Sequence, residues 1–246
     1  MSSSPLVVTV LAASGGLGSS TLALATGRRL GATGAPAVVV DLDPERGGLD
    51  VTAGIEHLPG RRWPALAAVR GSVAGETLLA SLPHEDGCAL LAGGGPGQGR
   101  PPAGAVRDVV SALVGSGRRV VLDCPATSPF LPDVLTWTTH GVLLVGLRTR
   151  ALADADALVH RLLDDLGPAT DADLRLVTRG GRPDAAVLDD VVDHLGLGHL
   201  HHLPDDPRVA RDAERGLWPG TGRDAVRVAA DRVVELVDAA PLRSAS

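Results

Sequence analysis

Short apolar runs alternate with amphipathic segments along most of the chain. Seven of these runs are rich in Val and Leu and carry apolar side chains at consecutive positions, as strands buried on both faces do. The predicted strands are Leu6–Leu11, Ala37–Leu42, Cys88–Leu91, Arg119–Leu122, Gly141–Leu147, Leu174–Thr178 and His199–Leu203. Buried strands separated by helical patterns predict an α/β fold with a mostly parallel, twisted sheet of seven to eight strands and helices on both faces.

Apolar positions at helical spacing lie between and after these strands. The predicted helices are Ser20–Leu30, Trp63–Val69, Ala74–Leu82, Ala105–Val114, Pro132–Thr138, Ala151–Leu166, Ala185–Leu195, Pro207–Arg215 and Arg223–Val237. Four of them stop at a glycine, where a left-handed cap costs least, so we expect such caps at Gly31, Gly115, Gly167 and Gly196.

The predicted strands and helices together suggest one domain. A chain of 246 residues can bury a single large core, and we place that domain at residues 6–239, with tails at 1–5 and 240–246. Residues 93–104 hold six Gly and three Pro, which excludes regular structure, so we predict a surface loop inside the domain.

Composition and charge narrow the class of function. The chain is 44% hydrophobic but only 2% aromatic, so the core must be Val, Leu and Ala. All 23 basic residues are arginine, and the net charge of −6 argues against a nucleic-acid partner.

Two cysteines indicate buried thiols in a reducing compartment. No positive charge precedes the apolar run Leu6–Ala13 and a glycine loop follows it, which disfavours a signal peptide. The longest apolar stretches, such as Val142–Val145 with its neighbours, are far too short to cross a bilayer, so we expect a cytoplasmic protein.

A glycine-rich turn follows the first predicted strand. It reads Ala13-Ser14-Gly15-Gly16-Leu17-Gly18-Ser19-Ser20-Thr21 and opens an apolar helix pattern. Glycines at 15, 16 and 18 let backbone N–H groups converge, and the helix N-terminus adds its dipole, so the turn favours an anion. Ser20 stands where a phosphate loop presents a hydroxyl to Mg²⁺.

This turn resembles the deviant Walker A loop of the MinD and ParA P-loop ATPases, Gly-Lys-Gly-Gly-x-Gly-Lys-Ser/Thr-Thr. Alignment on the glycines puts Ala13 at the first glycine, Ser14 at the signature lysine and Ser19 at the general Walker lysine. The resemblance implies that the nucleotide-binding residues are Gly15, Gly16, Leu17, Gly18, Ser19, Ser20 and Thr21. It also implies ATP or ADP with Mg²⁺, held weakly and not essential, because both lysines are missing.

Serine replaces a hydrogen bond of lysine but not its charge. Each missing cation should remove roughly 3 kcal/mol of transition-state stabilisation, which predicts weak or absent hydrolysis. Arg46, Arg148 and Arg150 follow strand ends and are candidates to compensate, since arginine grips phosphate bidentately. The alternative is that they are solvated or pair with acidic side chains.

Two strands end in aspartates that match further motifs of the same family. Asp41-Leu42-Asp43 resembles its switch I segment, which implies that Asp43 positions the attacking water. Val120–Pro125 resembles its Walker B strand, which implies that Asp123 holds Mg²⁺. Together with Ser20 and Asp41, Asp123 completes the implied metal set. Three motifs in the expected order are much stronger than any one of them.

Later segments resemble the family more loosely. Arg179, after the sixth strand, and Pro204, after the seventh, stand where the family contacts adenine. Within the superfamily, the chain looks most like the septum-site-determining, CpaE/TadZ-like branch. That resemblance rests on Asp41–Pro44 with Gly47–Asp50, on Arg62-Trp63-Pro64 and on Leu82-Pro83. Trp63 has the alternative interpretation of core or interface packing.

The branch implies a protein that places a tight-adherence pilus or secretion machine, or that influences septum-site choice. It implies protein partners in that complex, a homodimer, and a polar or septal position at the inner face of the membrane reached only through partners. Many members carry a receiver-like domain before the ATPase-like domain, so the chain either lacks that module or is a fragment. The function hypotheses are a pseudo-ATPase scaffold, a slow ATPase that uses arginine, and a nucleotide-independent interaction module.

Two other features have simpler interpretations. His199, His201 and His202 suggest a metal site, but strand alternation sends 201 and 202 to opposite faces, which disfavours a shared ion. The helix Arg223–Val237 is amphipathic, yet its polar face mixes Arg with Asp and Glu, so we expect it to pack on the sheet rather than on a membrane.

Overall fold

One eight-stranded sheet organises the molecule. The computed structural model describes residues 5–44, 48–95, 99–167 and 172–239. The strands are β1 (Leu6–Ala12), β2 (Ala37–Asp41), β3 (His84–Glu85), β4 (Cys88–Leu91), β5 (Arg119–Asp123), β6 (His140–Gly146), β7 (Asp173–Gly180) and β8 (Gly198–Pro204). Their order in the sheet is β3-β4-β2-β5-β1-β6-β7-β8. All neighbours pair in parallel except β3 and β4, which confirms the predicted α/β architecture.

Helices cover both faces of the sheet, as parallel pairing requires. They are α1 (Ser19–Gly31), α2 (Leu49–Ala53), α3 (Trp63–Leu66), α4 (Gly75–Ala80), α5 (Ala103–Gly115), α6 (Leu131–Trp137), α7 (Thr149–Leu166), α8 (Ala185–Leu195), α9 (Pro207–Ala213) and α10 (Ala225–Ala239). The core has two parts: α1, α2 and α10 bury their apolar sides on one face, and α3 to α8 bury theirs on the other. None of the described helices is both long and apolar enough to cross a bilayer.

The predicted elements occur in the predicted order, with two additions. The two additions are β3, which has two residues, and α2, which has five; elements this short leave no periodic pattern in the sequence. The predicted helix Trp63–Val69 ends at Leu66. The last helix packs on α1 and β8, with Val226, Ala230, Val233 and Val237 buried.

The glycine- and proline-rich segment is shorter than predicted. Ala103 and Gly104 form the first turn of α5, with Pro102 at the N-cap position, so the predicted loop 93–104 is wrong at its end. Gly93 is not on the surface either: a Cβ there would lie 2.7 Å from the carbonyl oxygen of Pro44. Residues 1–4 and 240–246, most of the two predicted tails, lie outside the described residues.

The predicted glycine caps divide into two groups. Gly196 is left-handed, with φ 64° and ψ 18°, and Gly167 has φ 67° but an extended ψ of 173°. The prediction is wrong for Gly31 and Gly115, which are the last residues of α1 and α5 and are followed by right-handed residues. For Gly31 another need explains the glycine, because a Cβ there would lie 2.6 Å from the carbonyl oxygen of Gly87.

These two helix ends offer a matched test of that close approach. Gly31→Ala should lower the free energy of unfolding by about 1–3 kcal/mol, since backbone must move to admit the methyl group. Gly115→Ala meets no atom within 4 Å and should raise the free energy of unfolding by up to about 1 kcal/mol. Urea denaturation of both variants measures the difference, and equal effects would contradict this explanation.

Candidate functional site

The glycine turn joins the central strand to the first long helix. It leaves β1 after Ala12, and the N–H of Ala13 donates to the carbonyl oxygen of Leu144 in β6 at 3.0 Å. Helix α1 begins at Ser19, and the N–H of Leu22 donates to the carbonyl oxygen of Gly18 at 2.9 Å. The turn therefore lies over the carboxyl end of the sheet with the helix N-terminus behind it, where open α/β sheets bind ligands.

Two glycines give the turn its shape. Gly16 has φ 81° and Gly18 has φ 89°, a region that other residues rarely adopt. A Cβ added at Gly15, Gly16 or Gly18 would meet no heavy atom within 4 Å. The space next to the backbone of the turn is thus open, as an anion held by backbone amides requires.

Asp123 lies at the end of β5, immediately beside this turn. Its residue is only 4% exposed, and its carboxylate hydrogen-bonds with the side chain of Ser20. Burial, together with the neighbouring negative charges of Asp41 and Asp43, raises the pKa of Asp123 to about 7, and the hydrogen bond with Ser20 opposes that rise. The structure therefore brings the predicted Walker B aspartate and the predicted magnesium-binding serine into contact.

Asp41 ends the neighbouring strand β2 and faces a different set of partners. Its Oδ1 accepts the N–H of Asp43 at 2.9 Å and its Oδ2 accepts the N–H of Leu49 at 3.4 Å. Burial raises the pKa of Asp41 to about 6, and these backbone donors oppose that rise. One oxygen of Asp41 thus holds the backbone at Asp43 and the other holds the start of α2, so this side chain shapes the predicted switch segment directly.

A second layer of residues supports the same segment. The indole N–H of Trp63 donates to the carbonyl oxygen of Asp41 at 2.7 Å, and Trp63 is 1% exposed, so its interpretation as core packing is correct. Next to it, Nε of Arg62 donates to Oδ2 of Asp50 at 3.1 Å. The remaining donors of Arg62 bind carbonyl oxygens of Ile55, Glu56, Leu58 and Gly60. The sequence motifs offered no sign of this ion pair, although both of its members lie within them.

Two of the three candidate arginines lie at the end of β6. Arg148 and Arg150 are exposed at the start of α7, and neither side chain makes a hydrogen bond or ion pair with another described residue. The turn that carries them touches the glycine turn, because a Cβ at Gly146 would lie 3.3 Å from Cδ2 of Leu17. Arg46, the third candidate, lies outside the described residues.

The predicted adenine-side residues also meet. Nη1 of Arg179 donates to the carbonyl oxygen of Pro204 at 2.9 Å, and its Nη2 pairs with Asp205 at 3.0 Å. These residues end β7 and β8, whereas the glycine turn follows β1 with β6 in between. The predicted site residues therefore form two groups along the carboxyl edge of the sheet.

The histidines of β8 depart from simple strand alternation. A register shift between Leu176 and Val177 turns His199 and His202 towards the same residue of β7. Nε2 of His199 and Nδ1 of His202 each lie 3.0 Å from the hydroxyl oxygen of Thr178. Among the described residues no group of three or more His, Cys, Asp or Glu side chains has the arrangement of a metal site.

Both cysteines are buried thiols. Cys88 lies in β4 and Cys124 follows β5, and both are at most 1% exposed. Burial raises the pKa of each to about 12. A thiol with so high a pKa is neither a nucleophile nor a ready disulfide partner at neutral pH.

The donor set around Asp123 fits a phosphate-bound magnesium ion. Mg²⁺ takes oxygen ligands and typically uses one or two carboxylates together with phosphates of the substrate. The Ser20 hydroxyl and the Asp123 carboxylate are in contact beside the open face of the turn. Three aspartates raise the negative charge there, so a cation would relieve their repulsion. Backbone amides and the dipole of α1 remain to hold the phosphates.

The raised pKa of Asp123 gives a testable dependence of stability on pH. A carboxylate whose pKa rises on folding binds protons more tightly in the folded state, so its contribution falls as pH rises from the unfolded value of 3.8 to about 7. In Asp123→Asn that loss is absent. The variant should therefore gain stability relative to the parent through this window, by on the order of 1 kcal/mol per pH unit, and the gain should level off above it.

Chemical denaturation at a series of pH values measures this difference. Burial also lowers the pKa of the β8 histidines His199, His201 and His202. Their contribution to the free energy of unfolding therefore rises with pH, and this rise is the same in both proteins. Asp154→Asn removes an exposed carboxylate of α7 and should show no such trend. If the free energy of unfolding changed with pH in the same way in the parent and in Asp123→Asn, the interpretation of Asp123 as a buried, destabilised carboxylate would be contradicted.

Comparison with known proteins places this geometry in a known fold. A scan against models of protein families finds no match. A curated protein of Mycobacterium tuberculosis strain H37Rv, itself uncharacterized, is 32% identical over 228 residues, which are 93% of this chain and 63% of the relative. Its counterpart in strain CDC 1551 matches equally. The chain thus spans less than two thirds of the length of the curated relatives it matches.

Solved structures give the fold. A ParA family ATPase from Chlorobium tepidum superposes with a TM-score of 0.76 at 14% identity, over 95% of this chain and 99% of that one. MinD from Pyrococcus horikoshii, solved with Mg-ADP, gives 0.75 at 16% identity over 95% and 96%. MinD in the MinC:MinD complex of Aquifex aeolicus gives 0.73 at 18% over 97% and 98%. The chain has the fold of the MinD and ParA P-loop ATPases.

Proposed function

We propose that this chain is a positioning or scaffold protein of the CpaE/TadZ type that has kept the MinD/ParA fold and lost most or all ATP hydrolysis. In this proposal it serves a tight-adherence pilus or secretion machine, or septum-site choice, at a pole or septum. It works from the cytoplasmic side and reaches the membrane through protein partners. Its solved neighbours include a septum site-determining MinD and a putative plasmid partition protein, which supports a role of this kind.

One observation carries the proposal: the glycine turn leads from the carboxyl end of β1 into helix α1 but contains no lysine or arginine. Gly16 and Gly18 hold positive φ, the backbone faces open space, and Ser20 contacts Asp123. Serines occupy both positions where the family has lysine, Ser14 and Ser19. Amides and a helix dipole suffice for anion binding, but a transition state that develops charge needs more.

In the proposed site, ATP or ADP lies weakly along the carboxyl edge of the sheet. Residues Gly15 to Thr21 would hold its phosphates, and Arg179 with Pro204 would border the base. Ser20 and Asp123, with Asp41 nearby, would hold Mg²⁺, which would supply positive charge to the phosphates. Any remaining hydrolysis would use Asp43 to position water. Because Ser14 cannot reach across to a second copy as the signature lysine does, we propose a homodimer whose assembly does not require ATP.

Restoring the charge tests the loss of function directly. Ser19→Lys should bind ATP with Mg²⁺ about ten- to a hundredfold more tightly than the parent, because one charge-assisted hydrogen bond to phosphate contributes about 1.5–3 kcal/mol. Calorimetry measures the affinity, and a phosphate-release assay beside it measures turnover. We expect the parent to show little or none.

The control adds the same side chain elsewhere. Ser72→Lys places a lysine on an exposed loop between α3 and α4 and should change neither quantity. Parent turnover at ordinary ATPase rates would refute the pseudo-ATPase. Absence of ATP binding in both the parent and Ser19→Lys would favour a nucleotide-independent interaction module instead.

A second candidate function rests on the arginines at the end of β6. Arg148 and Arg150 project from the turn beside Leu17 without a partner among the described residues, and arginine can neutralise phosphate where lysine is missing. In this version the protein is a slow ATPase. The two hypotheses differ in whether a nucleotide-dependent rate exists and depends on these side chains.

Alanine substitutions separate the two candidates. If arginine has replaced lysine, Arg148→Ala or Arg150→Ala should lower the phosphate-release rate by about a hundredfold. Arg107→Ala is the matched control, because Arg107 is an exposed arginine of α5 that pairs with Asp133 at 2.8 Å on the opposite face from α1. A measurable parent rate that both variants retain would eliminate the arginine version.

A further inference from the structure

A cleft unrelated to the glycine turn lies beside the edge strand β8. It has a volume of about 620 Å³ and is bounded by β8, by α9 and by the first turns of α10. Four arginines line it: Arg182, Arg208, Arg223 and Arg227. The volume is within the range of small-molecule sites, and such a density of guanidinium groups is unusual in a chain of net charge −6.

The two acidic residues of the cleft are already engaged. Oδ1 of Asp224 accepts the backbone N–H of Arg227 at 2.8 Å and so caps α10. Oδ1 of Asp231 accepts Nε of Arg29 on α1, and its other oxygen is 3.9 Å from Nε of Arg227. These carboxylates therefore hold helices in place, and the lining keeps an excess of positive charge.

Two of the arginines have no counter-charge. Arg208 is held by Asp206, with Nη2 to Oδ2 at 2.8 Å. Arg182 and Arg223, by contrast, make no hydrogen bond or ion pair with any other residue in the described part of the chain. Two unpaired guanidinium groups at one cleft can receive the oxygens of a dianion, each as a bidentate fork.

His202 forms part of the wall of the cleft. Its Nδ1 lies 3.0 Å from the hydroxyl oxygen of Thr178, which holds the imidazole against β7. Its Nε2 exposes almost no surface, so the polar contacts of a ligand in the cleft fall to the arginines.

Apart from His201, the rest of the lining is apolar. Val228 on α10 is 48% exposed, and Ala225 and Pro204 lie beside it in the cleft. A half-exposed valine next to arginines gains from contact with an apolar group. The cleft therefore suits a ligand that has both an anionic end and an apolar part.

We infer that this cleft is a second binding site that takes a small organic phosphate, with the phosphate at Arg182 and Arg223 and the apolar part on Val228. The cleft shares Pro204 with the proposed base-side group, but it lies apart from the glycine turn, which would hold the phosphates of a nucleotide. Three strand spacings separate β8 from β1, about 14 Å between strand axes, and no residue of the glycine turn lines the cleft. Phosphate fits better than carboxylate because its two charges match two unpaired arginines.

The probe for this site is 1-naphthyl phosphate, which combines the two required features. Calorimetry should show saturable binding to the parent. The double variant Arg182→Ala/Arg223→Ala should bind at least about tenfold more weakly. Both side chains are exposed, so folding should survive, as circular dichroism would verify. Arg107→Ala removes a distant exposed arginine and should bind as the parent does.

Two further experiments define the chemical class of the ligand and whether its phosphate belongs to a lipid headgroup. The carboxylate 1-naphthoate should bind much more weakly than the phosphate, and equal binding would overturn the phosphate assignment. Sedimentation with phosphatidylcholine vesicles that contain phosphatidic acid tests a lipid headgroup as the source of the phosphate. Retention that the double variant loses would support the site with a lipid ligand. No binding in either arm, or equal losses in Arg107→Ala and the double variant, would overturn the inference.

Discussion

The parallel register of three central strands decides where the candidate chemistry lies. Asp41 of β2 is level with Asp123 of β5, and Asp123 is level with Val10 of β1, so both acids emerge beside the turn that follows β1. The contact between Asp123 and Ser20 then fixes the first turn of α1 against β5. A shift of one residue in either pairing would turn each aspartate to the other face of the sheet.

The same arrangement concentrates negative charge where this fold normally brings cations. Asp41 and Asp123 are buried, and their pKa values of about 6 and 7 show that the folded chain tolerates their charge poorly. A bound cation or a proton would relieve this strain, while the absent lysines cannot. In the proposed site their absence would slow hydrolysis more than it weakens nucleotide binding, because a fixed positive charge helps most where charge develops during reaction. This is the physical basis of the pseudo-ATPase proposal.

The sequence was sufficient to predict the architecture and which loops lie close together. It was not sufficient to predict the contacts that hold those loops in place. Consecutive buried positions predict parallel strands, and their carboxyl ends place the turn, Asp43 and Asp123 on one edge. The Arg62–Asp50 pair, the Trp63 hydrogen bond and the arginine cleft join residues far apart in the chain, so no local pattern reports them. The register shift at Leu176 is also invisible, since it depends on how two strands pair.

The two inert thiols make the chain well suited to single-site labelling. Cys88 and Cys124 are its only cysteines and both are sealed in the core with strongly raised pKa values. A thiol introduced on an outer helix would react with a fluorophore or spin label, whereas these two would not. Distances between such labels on two copies could then report assembly without first removing any native residue.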